Sequence, residues 1–295
     1  MRLLAVVNRR AGGGSALRCA AQWRARRDVP HDVEWAVTDS AAEARDRIRR
    51  SAACGTEGIV LVGGDGTVHG ALAALADESL PFGVLPAGRG NDFARNLGLT
   101  GRTVAELLRR GSLTVREIDL ATAGGVPYGS VACVGFDAEV NRLARQGAGY
   151  FGGTAGYVAC VLRALAHYRP FDVEVEVDGW RWQGPVTLVA VANGACYGGG
   201  MRIAPRARMD DGALDVCIVS AVTRATLLRQ FPKIFRGTHT SHPACILRAG
   251  RRVTVHAGTG HEVFADGEPA GRTPVGFAVQ RAGLRVLQPV PATAE

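Results

Sequence analysis

The chain has 295 residues, 47% of them hydrophobic, and a net charge of +8. That length and apolar content allow one large domain or two ordinary ones and exclude a disordered chain. The basic balance favours anionic partners such as nucleotides, nucleic acid or an acidic bilayer. The seven cysteines are odd in number and contain no C-x-x-C pair. This pattern argues for reduced thiols in a cytosolic protein, and against a disulfide framework or a zinc site. The apolar part of Met1 to Val7 is too short for a signal peptide, and no run reaches transmembrane length. Membrane contact is therefore expected to be peripheral.

Leu3 to Val7 reads as a buried strand running into the glycine-rich turn Asn8-Arg9-Arg10-Ala11-Gly12-Gly13-Gly14. Ser15 is expected to cap the following helix, in which Ala16, Ala20 and Trp23 share one stripe. Val33–Val37 makes a second strand and Ala41–Arg50 a second helix. Ile59–Val62 is the third strand, and it stops at Gly63-Gly64-Asp65-Gly66-Thr67 before the helical segment Gly70–Ala76. Glycines at a strand's carboxyl end let backbone N–H groups surround a phosphate, and a helix start adds its positive dipole end. A lone carboxylate in such a cradle repels phosphate unless a cation intervenes, so Asp65 points to a Mg²⁺-nucleotide. Phe82–Leu85 is the fourth strand, ending in Pro86-Ala87-Gly88-Arg89-Gly90-Asn91-Asp92. Thr103 with Glu106 reads as a capping box for a helix that stops near Gly111. Strands alternating with helices imply a parallel sheet with ligand loops at its carboxyl ends. Neither G-x-G-x-x-G with a downstream acid nor G-x-x-x-x-G-K-[ST] is present.

From about Arg116 the strands are closely spaced. Gly124-Gly125 is expected to join Ile118–Ala121 to Ser130–Val134 as a hairpin. Two helical segments follow, near Ala138–Gln146 and Gly153–His167. Phe171–Val177 then alternates, Asp178-Gly179 turns, and Trp180–Ala192 returns. Further strands are expected at Leu214–Val219, Val253–His256, His261–Phe264, Val275–Val279 and Leu284–Leu287. Thr223–Arg236 looks helical, with Pro232 expected to bend or break it. The pattern suggests an antiparallel sandwich. Asp266-Gly267 alone reads as a hairpin turn, although Asp266 and Glu268 flanking a glycine can also present a carboxylate that accepts a proton. Asp210-Asp211 before a strand is either a solvated turn or part of a metal site using backbone carbonyls.

Taken together, Asn8–Gly14, Gly63–Thr67, Pro86–Arg95, Gly135–Ala138, Tyr197–Pro205, Asp210–Val216 and Asp266–Glu268 resemble the diacylglycerol kinase catalytic family, which includes bacterial lipid kinases and the sphingosine and ceramide kinases. The resemblance implies an α/β + β protein. An N-terminal doubly wound domain like those of phosphofructokinases and NAD kinases (1–115) precedes a β-sandwich lipid-substrate domain (116–283), and 284–295 returns to the first. It also implies ATP and Mg²⁺. Asn8, Arg9, Arg10, Ala11, Gly12, Thr38, Gly63, Gly64, Asp65, Gly66, Thr67, Arg89 and Asn91 match nucleotide-binding positions. Asp65 would sit on the catalytic metal with Asp92 ordering its network, and Glu268 would be the general base ahead of Asp266. A second, structural Mg²⁺ would match Asp211 with the carbonyls of Arg208 and Ala213. Three positions depart from the family pattern: Arg9 replaces a proline, Arg89 a threonine and Gly70 a glutamate.

The expected reaction is transfer of the ATP γ-phosphoryl group to a lipid hydroxyl, with diacylglycerol the first choice. Tyr157–Leu165 and Leu227–Phe235 are expected to carry apolar surface for the acyl chains, and Arg163, Arg229 and Arg236 to meet anionic headgroups. The rival readings are a kinase of a soluble substrate and an inactive nucleotide-binding regulator. The protein is expected in the cytoplasm at the inner face of the membrane, without a nucleic-acid partner. An exposed sandwich edge is the expected route to any homodimer.

Overall fold

The computed structural model describes residues 1–25, 31–99, 113–146, 154–258 and 260–289. The capping box at Thr103 lies outside them. Residues 1–119 with the chain from Arg281 onward form one compact unit, and Leu120–Gln280 forms the other. Both boundaries fall inside strands rather than in linkers, a few residues from the expected 115/116 and 283/284.

In the first unit, strands β1 (Arg2–Asn8), β2 (Asp32–Thr38), β3 (Gly58–Gly63) and β4 (Phe82–Pro86) pair in parallel in the order β4-β3-β1-β2. Leu3–Val7 and Ile59–Val62 are almost wholly buried, as continuous apolar runs in a parallel sheet should be. Each such Leu, Ile or Val contributes about 1.5–3 kcal/mol relative to exposure. Helices α1 (Ser15–Arg24), α2 (Ala41–Ala53) and α3 (Asp65–Asp77) alternate with the strands. α3 buries Val68, Ala71, Leu72 and Leu75, one helical stripe, and a short helix α4 (Asp92–Asn96) follows β4. Because β2 and β3 lie on opposite sides of β1, the chain switches direction at β1. Ligand loops of such sheets gather beyond the carboxyl ends at that point.

The second unit is built from β5 (Leu113–Ala123), which enters it from the first, β6 (Val126–Tyr128), β7 (Val131–Gly135), β8 (Phe171–Val177), β9 (Trp180–Ala192), β10 (Leu214–Ser220), β11 (Cys245–Gly250), β12 (Arg252–Ala257), β13 (Glu262–Ala265), β14 (Glu268–Arg272) and β15 (Val275–Pro289), which leaves it for the first at Arg281. Its core is a valine-rich cluster that includes Val175, Val189, Val216 and Val255, with Tyr128 fully buried and its O–H donating to the Val191 carbonyl at 3.2 Å. The Asp178-Gly179 hairpin forms as expected, with φ of 46° and 89° at its centre. Helices α5 (Phe136–Arg145), α6 (Thr154–His167) and α7 (Arg224–Ile234) complete the unit. No helix among the described residues is long and apolar enough to cross a membrane.

Several local expectations change. Gly124-Gly125 does turn a hairpin, but the returning strand is β6, and β7 pairs with β9 and β13 instead. Three residues of Val-Pro-Tyr carry too little periodicity to be read as a strand. β15 is continuous where two strands were expected; Ala282, at φ 51°, bends it without ending it. Pro232 lies inside α7 without ending it. Near the helix's C-terminal end, few backbone bonds remain for it to break. Ser15 is not a cap. Gly14 occupies that position, and the Ser15 hydroxyl bonds elsewhere.

Candidate active site

Three loops of the first unit meet at the carboxyl ends of β1, β3 and β4. Asn8 ends β1; its Nδ2 donates to Thr67 Oγ1 at 2.9 Å, and its Oδ1 accepts from the Arg10 N–H at 3.0 Å. One side chain thus ties the first loop to the phosphate-loop candidate. Gly12, Gly13 and Gly14 all have positive φ. A Cβ on Gly12 would stand 2.2 Å from the Ala87 carbonyl oxygen, so only glycine lets this loop touch the one after β4. Ser15 Oγ donates to that same Ala87 carbonyl at 2.5 Å. The β3 and β4 loops meet backbone to backbone: a Cβ on Gly88 would fall 2.4 Å from the Gly64 Cα. Asn91, in the left-handed region at φ 55°, brackets Gly88 by accepting from its N–H and donating to its carbonyl, both at 2.9 Å.

Asp65 opens α3. Its Oδ1 accepts from the Phe93 N–H at 3.0 Å, which fixes the carboxylate. Its Oδ2 faces Gly90, where a Cβ would stand 2.7 Å from it and 3.3 Å from Asp92 Oδ2. The two carboxylates therefore share a small space that glycine leaves open. Asp92 is buried and ion-paired with Arg95, which also donates to the Gly90 carbonyl at 3.1 Å.

The departures become legible here. Arg9 pairs with Asp39 at 2.8 Å, and its N–H donates to the Thr38 carbonyl at 3.0 Å. Thr38 itself is buried at the end of β2. Arg89 is exposed. Gly70 lies against α2, where a Cβ would stand 2.8 Å from the Ala41 Cβ. Its smallness serves helix packing rather than the cradle.

In the second unit Asp266 and Glu268 divide their roles. Asp266-Gly267 is the hairpin turn between β13 and β14. The Asp266 carboxylate accepts from the backbone N–H groups of Gly129 at 2.7 Å, Ser130 at 2.8 Å and Val131 at 3.2 Å. Both oxygens are thus occupied in holding a neighbouring strand entry. The Glu268 side chain is 37% exposed and pairs with Arg145 of α5. Its carboxylate meets a side chain rather than backbone donors.

At the other acidic spot, Asp211 Oδ1 accepts from the Ala213 N–H at 3.0 Å, and Arg208 pairs with Asp210 at 3.3 Å. Asp215, four residues on, was not singled out in the sequence. Burial first and Asp211 second raise its carboxyl from 3.8 to about 6. A cation here would relieve both effects. The arrangement therefore fits one.

Asp137 is the other group the sequence reading passed over. It is buried, and the Tyr197 hydroxyl donates to it. Burial raises its carboxyl from 3.8 to about 6, against the lowering effect of Tyr197. Between those two values the native state holds a proton that the unfolded chain has lost, so stability falls as pH rises through the window. Asp137→Asn, which keeps the acceptor, is expected to remove that fall. Relative to wild type it should gain about 3 kcal/mol between about pH 4 and pH 8 in denaturant unfolding. An equal pH dependence in both proteins would show that Asp137 ionises without penalty.

Residues 2–123 match the diacylglycerol kinase catalytic domain, and residues 129–288 the YegS C-terminal NAD kinase beta sandwich-like domain. A diacylglycerol kinase of Mycobacterium tuberculosis is 35% identical over 98% of this chain and 95% of its own. A diacylglycerol kinase of Bacillus subtilis is 28% identical over 86% of this chain and 84% of its own. A solved diacylglycerol kinase structure from Bacillus anthracis shares the fold, with a TM-score of 0.73 at 21% identity over 99% of this chain and 98% of that one. The chain therefore belongs to the diacylglycerol kinase family of lipid kinases, phosphotransferases with an alcohol group as acceptor.

Proposed function

We propose that the protein transfers the γ-phosphoryl group of ATP to the hydroxyl of a membrane lipid, diacylglycerol giving phosphatidic acid. The observation that carries the lipid reading is an apolar pocket of about 80 Å³ in the second unit. Val161 and Leu165 of α6 and Leu227, Leu228, Phe231 and Ile234 of α7 line it. The same two helices expose Val158, Leu162 and Leu228, with Phe235 just beyond α7, at 39–53% of their surface. Arg163, Arg229 and Arg236 are exposed on or beside them. Apolar side chains with arginines beside them suit a face that rests on an anionic bilayer, with the acyl chains passing into the pocket. A soluble acceptor gives no reason for either feature.

On this reading Gly64 and Gly66 offer backbone N–H groups to the nucleotide's phosphates at the start of α3, with Asn8, Gly12 and Thr67 beside them. Asp65, with Asp92 beside it across Gly90, would hold Mg²⁺ directly or through its water. The space that a Cβ at Gly90 would fill, and the all-oxygen donors, fit that ion. Bound there, Mg²⁺ supplies neutralisation of charge on the transferring phosphoryl group. Asp211, with Asp215 behind it and the Arg208 and Ala213 carbonyls, would hold the structural ion. Glu268 accepts the proton of the lipid hydroxyl, and Arg145 orients its carboxylate until the hydroxyl arrives.

The test is Leu228→Asp. Leu228 is half exposed, so the fold should tolerate the change. The KM for long-chain diacylglycerol in mixed micelles should rise about 10-fold or more, with the KM for ATP unchanged. An unchanged lipid KM would remove the pocket from the account.

A further inference from the structure

β10 and β11 run antiparallel with Cys217 opposite Leu247 and Val219 opposite Cys245, which sets the two cysteines on one face along a diagonal. After α7 the chain makes a 3-10 turn, Thr238–Ser241, carrying His239 to the same place. Sγ of Cys217, Sγ of Cys245 and a ring nitrogen of His239 all lie within 4.8 Å of one another. Cys217 and His239 are buried and Cys245 is half-buried. Neither ring nitrogen of His239 has a hydrogen-bond partner among the described residues. A buried imidazole without a hydrogen-bond partner has given up water for little in return.

Two thiols and a neutral imidazole are the donor set of a thiophilic cation, and a poor one for Mg²⁺. A tetrahedral zinc site with Zn–S of about 2.3 Å and Zn–N of about 2.0 Å spans roughly 3.5–3.8 Å between donors. The three atoms need to close by only about 1 Å to reach it. We infer that Cys217, His239 and Cys245 form a zinc(II) site with its fourth position open to the apolar pocket. His239 and Cys245 both line that pocket, which supplies the route of entry. Binding releases the two thiol protons to solvent, and the resulting dithiolate–zinc unit is electrically neutral, as an apolar surround requires. No C-x-x-C spacing announces the site, because its ligands come from two strands and a turn. It is independent of the kinase reading.

The full-length protein, reduced and stripped with a chelator, should bind one Co²⁺ per chain with a thiolate-to-cobalt charge-transfer band. Zn²⁺ should displace the Co²⁺ and raise the unfolding midpoint, and excess Mg²⁺ should not displace it. Cys217→Ser, Cys245→Ser and His239→Gln should each weaken binding by more than about 100-fold. Cys54→Ser, at an exposed cysteine, should leave it unchanged. Should a ligand variant fail to fold, the wild type still decides: zinc should shield Cys217 and Cys245 from alkylation while Cys54 stays reactive. No charge-transfer band, a band that survives both cysteine replacements, or alkylation indifferent to zinc would each overturn the site.

Discussion

Glu268→Gln is expected to lower the turnover of lipid phosphorylation by about 10²–10⁴-fold, the usual contribution of a positioned general base. The variant keeps the volume and one oxygen for Arg145, and the site is already partly in water. Its unfolding midpoint should therefore barely move. Asp266→Asn should behave in the opposite way. The amide offers one good acceptor where the carboxylate serves three backbone donors. Each donor left unpaired costs about 1–3 kcal/mol, so this variant should lose stability first and activity as a consequence. Turnover at saturating lipid, measured beside thermal unfolding for both proteins, separates the roles. A fully active Glu268→Gln enzyme, or a stable but inactive Asp266→Asn enzyme, would exchange them.

Asp65→Asn should be nearly as damaging, for a different reason. Its side-chain oxygen can still accept from the Phe93 N–H, so the loop should keep its shape and the stability change should stay within about 0.5 kcal/mol. What is lost is the charge facing Gly90 and Asp92. If that charge holds the ion that neutralises the transferring group, turnover should fall by about 10²–10³-fold. The Mg²⁺ concentration needed for half-maximal rate should rise. An unchanged Mg²⁺ dependence would move the metal elsewhere.

The first unit was legible because parallel strands buried on both faces write themselves as unbroken apolar runs, and the glycines after Asn8, Val62 and Pro86 mark where backbone must approach backbone. The same reading could not tell what Gly70 was for. Its packing partner, Ala41, lies in another helix, and only the coordinates show that a larger side chain has no room there. Local sequence offered no physical ground for ranking Glu268 ahead of Asp266, for a similar reason. The donors that occupy Asp266 sit at Gly129–Val131, far away in sequence, whereas Glu268 meets Arg145 alone. β14 was missed because Glu-Pro-Ala-Gly-Arg has neither alternation nor β-branched residues; pairing with β13 makes it a strand. Asp137 and Asp215 were passed over because burial, which perturbs both, is a property of the packed chain.

Radiolabel transfer tests the central claim most directly. With γ-labelled ATP, Mg²⁺ and mixed micelles of diacylglycerol, phosphatidylglycerol or sphingosine, alongside NAD and sugar phosphates in solution, the account predicts label in a lipid product, phosphatidic acid first. Label in a soluble acceptor with none in any lipid would contradict it.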